Sequence, residues 1–242
     1  PAFVEPTPDG AFVVIADSGS GGPGGNLALA AVDGSSWLAI GPIVYPYDGD
    51  VLPDGRLIVS AATQGFGLGN DLALVQLNPP SVTLIGHVSN PSGPIEVARS
   101  GDVFYGLQGP GGSPPAGSCS VIRWNAALVA AGGPLDESNA TTLATGFDGA
   151  SSLAFDPDKE RLFLAENHYF LGTHNIWRVK ANKANSVLIA SSDQSLAGLR
   201  FADAGGTATF DAFQPDHGRR LVYETTDFWS FSNLGTLVPK RP

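Results

Sequence analysis

The stretch DVLPDGRLIVSAATQGFGLGNDLALVQLNPPSVTLIG, residues 50–86, decides the fold. Asp50-Val51-Leu52 reads as a first strand, Pro53-Asp54-Gly55 as a hairpin turn and Arg56 to Ala62 as a second strand. Gly65 to Gly69 is a loop, Leu72 to Leu77 a third strand, Asn78-Pro79-Pro80 a turn, and Val82 to Gly86 a fourth strand. An Asp-Gly pair supplies the positive-φ residue that a tight hairpin requires, and each run has the usual strand length. Leu57-Ile58-Val59 and Leu74-Val75 do not alternate apolar with polar, so these strands are expected to be buried on both faces.

The same four-strand sentence recurs along the chain. Aligning the turn residues Asp9, Asp54, Ser100, Asp158 and Ala204 gives intervals of 45, 46, 58 and 46 residues. A repeat of that length with four strands per unit is the sequence signature of a β-propeller blade. The expectation is one all-β domain over residues 1–242, built from five four-stranded blades near 1–46, 47–91, 92–148, 149–195 and 196–242. Six blades is the competing count, if Pro1 to Pro8 belongs to another blade. The third unit carries extra length in the loops Gly109 to Cys119 and Ala126 to Ala140, and only Asn125 to Ala131 can form a helical turn or two.

Composition narrows the function. The 31 glycines and 19 prolines are spread throughout, as many tight turns between short strands demand. With 13 basic against 23 acidic residues the net charge is −10, which repels phosphate backbones, so nucleic acid is not an expected partner. No run approaches the ~20 apolar residues of a membrane-spanning helix, so membrane insertion is not expected. Cys119 is the single cysteine, which rules out an internal disulfide or a thiolate metal cluster. The absence of methionine, few lysines and abundant Gly, Ser and Thr lead us to expect an exported product, periplasmic or extracellular, with its leader removed. Oligomeric state is not readable.

In a propeller the connectors between blades and the loops between second and third strands emerge on one face, and each first strand borders the channel. Four residues before each aligned turn stand Glu5, Asp50, Glu96, Ala154 and Arg200. Glu5, Asp50 and Glu96 are therefore expected to converge, neutralised either by a calcium ion or by the Arg200 guanidinium. The connectors add Tyr47, Asp48, Asn90, Phe147, Asp148 and Asp193. Aromatic rings and carboxylates of this kind hold small polar ligands or glycans, although Asp is also a good turn residue. The loop Glu166 to Asn175 contributes His168 and His174, whose imidazoles titrate near neutral pH. Their spacing matches no metal motif, and a loop that covers a blade edge is the alternative. No Gly-x-Ser-x-Gly elbow is present, and the glycine runs at 19–25 and 65–69 join strand to strand without the helix N-terminus that holds a phosphate.

Leu153-Ala154-Phe155-Asp156-Pro157-Asp158, Arg161 to Glu166 and Ile176-Trp177-Arg178-Val179, with Asp50 to Ser60, resemble the repeat of NHL and of gluconolactonase/strictosidine-synthase-like propellers. The resemblance covers the repeat pattern over most of the chain. It implies a propeller fold and, for the lactonase-like members, a divalent cation held by a glutamate and asparagines. The family's Glu-Gly-Pro reads Ser92-Gly93-Pro94 in this chain, and its Asn-Gly reads Ser151-Ser152. Glu5, Asp50 and Glu96 would have to supply the ligands instead. Two functions follow: a binding module for a small polar ligand, glycan or protein, or a calcium-assisted lactonase or esterase with His168 or His174 relaying protons.

Overall fold

The computed structural model describes residues 3–7, 9–17, 25–64, 68–90, 93–110, 115–156, 159–168, 173–193, 195–203, 212–213, 219–226 and 238–239. The first sheet is β1 (Phe3–Pro6), β2 (Phe12–Asp17), β3 (Asn26–Ala31) and β4 (Trp37–Pro42), paired in chain order. The second is β5 (Pro46–Val51), β6 (Leu57–Ala61), β7 (Asn70–Leu77) and β8 (Pro80–Val88), again in chain order. The third is β9 (Ile95–Val97), β10 (Val103–Leu107), β11 (Cys119–Trp124) and β12 (Thr141–Phe147). Between β11 and β12 lies α1 (Ala126–Ala130), capped by Asn125, whose side chain accepts the Leu128 N–H. The fourth sheet is β13 (Ser152–Asp156), β14 (Arg161–Glu166), β15 (His174–Arg178) and β16 (Val187–Ser192).

The hairpin between first and second strand uses the same backbone device four times. Gly10, Gly55 and Gly101 take positive φ, and in the fourth repeat Glu160 takes it at φ 49°. The strand boundaries expected for the second repeat match β6 and β7 closely, because Asp54-Gly55 and the Asn78 turn fix both ends.

The fifth blade expected over 196–242 is corrected. The described residues form four blades, not five or six. β17 (Ser195–Asp203) pairs directly with β19 (Arg219–Thr226), and β18 (Ala212–Phe213) lies on the far side of β19. β20 (Val238–Pro239) pairs with β16, extending the fourth sheet to five strands. Eight aligned positions from Ser195↔Thr226 to Asp203↔Arg219 hold β17 to β19, whose Leu, Val, Tyr and Thr suit a pleated strand. Two-residue β18 offers no such length, and Pro239 is tolerated on β20 because that strand is an edge. The expected turn residue Ala204, and most of the expected second and fourth strands of this repeat, lie outside the described residues.

By contacts the chain divides into two compact units, Pro1–Leu107 with Ile122–Thr141 and Gln108–Val121 with Thr142–Pro242. In unit 1, β6 is buried on both faces, as its apolar run predicts. Leu57, Val59 and Ala61 join a core with Phe3, Val14, Ala16 and Leu27 of the first sheet. Ile58 joins another with Val103, Tyr105, Ile122 and Trp124 of the third. Among the first strands, β5 lies against both β1 and β9. β1 and β5 approach so closely that a Cβ on Gly49 would stand 2.7 Å from the Phe3 ring. In unit 2 the core of Ala154, Phe163, Ala165, Ile176 and Ala190 is closed by Leu196 and Leu199 of β17. No helix among the described residues is long and apolar enough to cross a membrane.

Candidate functional site

Unit 2 gathers its charged groups where β12 ends and β14 leads into the loop that reaches β15. Asp148 follows β12, Glu166 closes β14, His168 lies two residues on, and Lys183 comes from the short 3-10 turn Lys183–Asn185. Lys183 Nζ donates to Asp148 Oδ2 and Glu166 Oε1, at 2.7 Å in each case. Glu166 is fully buried. Its Oε1 also accepts the Asp148 N–H at 2.8 Å, and its Oε2 accepts the Trp177 indole N–H at 2.6 Å. Asp148 Oδ1 accepts the Gly117 N–H at 2.6 Å, which ties the loop before β11 to the cluster. Both carboxylates are thus satisfied by fixed donors, as burial demands.

His168 completes the group. Its Nδ1 stands 3.1 Å from Asp148 Oδ2, and its Nε2 stands 3.6 Å from Glu166 Oε2 and 3.3 Å from Asn175 Nδ2. Asn175 Nδ2 also donates to the Thr173 carbonyl at 3.3 Å. Nδ1 faces the Asp148 carboxylate, and Nε2 lies between Glu166 and Asn175. The His168 N–H donates to His174 Nδ1 at 3.2 Å. His174 is buried, and desolvation, followed by the nearby His168, holds its pKa below the ordinary value.

The charges reinforce one another. Burial pushes the Asp148 carboxyl up, but hydrogen bonds from Lys183 and Gly117 outweigh it and hold the group below the usual carboxylate range. Burial pulls the Lys183 ammonium down, and its bonds to Asp148 and Glu166 outweigh that and raise it. The ammonium also lies 5.9 Å from the Trp177 ring, within cation–π range, and Phe147 meets that ring edge-on at 6.4 Å.

The other expected site residues take varied places. Asp48 is buried, with Oδ1 on the Gly49 N–H and Oδ2 on the Ile95 N–H. Asp50 Oδ1 accepts the Val51 N–H at 2.7 Å and Oδ2 the Val97 N–H at 2.6 Å, joining β5 to β9. Glu5 and Glu96 are half-buried on β1 and β9, and Tyr47 and Asn90 are also half-buried. Phe147 is fully buried and Asp193 is exposed. Arg200, on β17, donates to the Leu199 carbonyl. Among the described residues, three ligand-type atoms come within 4.8 Å of one another at Asp148, Glu166 and His168. Of that group the sequence singled out Asp148 and His168 and placed Glu166 in the histidine loop. Lys183, Trp177 and Gly117 carried no site signal.

Calcium takes six to eight oxygen ligands. The cluster offers two carboxylates and an imidazole with an ammonium already between the acids, so this donor set does not fit the ion.

No family model matches this sequence, and no curated protein matches it. Solved structures do match. TolB from Acinetobacter baumannii aligns with a TM-score of 0.60 at 12% identity, over 98% of this chain and 53% of that one. The chain spans 57% of the matched chain of the Kuenenia stuttgartiensis hydrazine synthase. A chain of a nidogen/laminin complex aligns with a TM-score of 0.62 at 9% identity, over 92% of this chain and 70% of its own. A gluconolactonase from Xanthomonas campestris aligns with a TM-score of 0.60 at 15% identity, over 92% and 75%. A likeness at these identities defines the fold class, an all-β propeller with gluconolactonases among its structural neighbours.

Proposed function

We propose that the chain is a propeller used as a binding module, taking a small polar ligand, glycan or protein on the face formed by the blade connectors and the loops between second and third strands. The observation that carries this reading is the Lys183 ammonium, 2.7 Å from Asp148 Oδ2 and from Glu166 Oε1. A hydrolytic centre needs an acid or base free to exchange protons with substrate, and here the donors and acceptors are turned on one another. In unit 2 this reading puts the ligand at half-buried His168 and exposed Asp193. Place of action is proposed as outside the cytoplasm, on the compositional grounds given above.

A calcium-assisted lactonase or esterase is the second reading. It is suggested by the gluconolactonases among the structural neighbours. It requires Lys183 to leave the acids, or Glu5, Asp50 and Glu96 to hold the ion in their place.

The test is a titration of oligosaccharides, polyols and sugar acids, followed by backbone NMR shifts, beside a lactone-hydrolysis assay with calcium. Binding with shifts centred on His168 and Asp193, and no hydrolysis above buffer, is expected. Calcium-dependent hydrolysis lost in His168→Ala would overturn the binding reading in favour of the enzyme.

A further inference from the structure

The outer edges of the sheets are treated differently. On β8, Leu135 occupies the edge, its N–H donating to Ile85 O at 2.8 Å and its carbonyl accepting the His87 N–H at 3.0 Å. On β16, β20 occupies it. Among the described residues β4 is the terminal strand of its sheet. Its hairpin is exposed from residue 32 through 39, with Val32 at 64%, Trp37 at 65% and Leu38 at 48% relative exposure. Residues on both strand faces are therefore in solvent at once, which is unusual for Trp and Leu.

The hydrogen-bond phase of β4 can be read. The Ala31 N–H donates to the Ser36 carbonyl at 3.0 Å, and the register continues Ala30↔Trp37, Leu29↔Leu38, Ala28↔Ala39. By the antiparallel alternation, Leu38 turns its N–H and C=O toward β3, while Trp37 and Ala39 turn theirs outward. Natural edges are commonly guarded by charge, proline or a bulge. Residues 34–47 contain no charged side chain, and the register shift that leaves Ile40 without a partner on β3, like the prolines at 42 and 46, lies beyond the exposed stretch.

Charge selects the occupant. Unit 1 holds twelve acidic against three basic side chains, whereas unit 2 holds eleven against ten. Asp33, exposed at the hairpin tip, accepts the Ser35 N–H and is held ionised at neutral pH. A second copy would bring two strongly acidic units together, and an acidic segment would be repelled. We propose that the open edge of β4 docks an extended, basic segment of a partner protein as an added strand. Backbone hydrogen bonds to Trp37 and Ala39 set its register, and alternating apolar side chains on one face pack on Trp37. This surface is separate from the connector face and does not depend on the reading proposed for it.

The experiment uses the full chain and two synthetic peptides, acetyl-KVTVKVTK-amide and its acidic counterpart acetyl-EVTVEVTE-amide, measured by calorimetry at about 0.1 M salt. The basic peptide is expected to bind and the acidic one not to. Ala39→Pro removes one outward N–H and leaves the bonds to β3 and the charge untouched, so it is expected to weaken binding about tenfold. Trp37→Ser is expected to weaken it by a similar factor, about tenfold, with no change in melting temperature, and serves if the proline variant is poorly folded. Equal affinity of wild type, Ala39→Pro and Trp37→Ser would reduce the effect to bulk charge and overturn the proposal. So would failure of the basic peptide to bind, or self-association of the wild type that Ala39→Pro abolishes.

Discussion

The two units solve one problem, the buried carboxylate, by different means. In unit 1, Asp48 and Asp50 accept backbone N–H groups from β9, so acid side chains act as rivets between neighbouring first strands. In unit 2, backbone N–H groups still contribute, but the ammonium of Lys183 spans Asp148 and Glu166, and Trp177 and His168 close the set. The equivalent first-strand link there is a hydroxyl, with Ser152 Oγ accepting the Leu199 N–H at 3.0 Å. Backbone dipoles satisfy a carboxylate without a mobile partner. An ammonium does so through a long side chain that can be removed or titrated. Unit 2 should therefore be the part that responds most to single substitutions and to pH.

Glu166→Ala is the strongest way to break the contrast. It leaves the Trp177 N–H and the Asp148 N–H without their acceptor and Lys183 with Asp148 alone, and removing one partner of a buried ion pair costs about 3–5 kcal/mol. Urea unfolding should show that loss as a shifted midpoint. Asp50→Ala, the matching change in unit 1, strands the Val51 and Val97 N–H groups and should cost about 1–3 kcal/mol. If the two variants lose equal stability, the distinction between ionic and backbone-satisfied acids fails.

The pH dependence sharpens it. Asp148 has a depressed pKa, so its contribution is complete above the ordinary value of 3.8 and is lost as pH falls through the lower folded value. Lys183 has a raised pKa, so its contribution is complete below 10.5 and is lost as pH rises through the higher folded value. Stability measured against pH should fall at both ends, and Lys183→Met should flatten the alkaline limb. An unchanged alkaline limb in that variant would remove Lys183 from the account.

The smallest effect concerns the hairpins. Gly10, Gly55 and Gly101 take their positive φ freely, whereas Glu160 holds φ 49° against its own Cβ. Glu160→Gly should stabilise the fourth blade by up to about 1 kcal/mol, the relief of strain exceeding the extra freedom of the unfolded chain. A destabilised variant would show that the Glu160 side chain contributes more than the strain costs.

These same hairpins explain what could be read in advance. Asp54-Gly55 and its counterparts announce the repeat locally, and Leu57-Ile58-Val59 announces burial on both faces, so the propeller class was legible. The last repeat was not, because an apolar run such as Leu221 to Thr225 says that a strand exists and not which strand it will lie beside. In the site, Asp148 and His168 stood out as polar residues in connectors and loops. Lys183 did not, since it reaches the acids from a turn 17 residues beyond Glu166, and no sequence spacing encodes the reach of a flexible side chain. Trp177 read as a repeat residue, and its indole N–H bond to Glu166 depends on the pairing of β14 with β15.

The central claim is that Lys183 supplies the positive charge that Asp148 and Glu166 require. Thermal melting of the wild type and of Lys183→Met across a calcium titration tests it directly. The account predicts a wild-type melting temperature independent of calcium and a Lys183→Met variant that melts lower. A wild-type melting temperature that climbs with calcium concentration, as mass action demands of a bound ion, would contradict it.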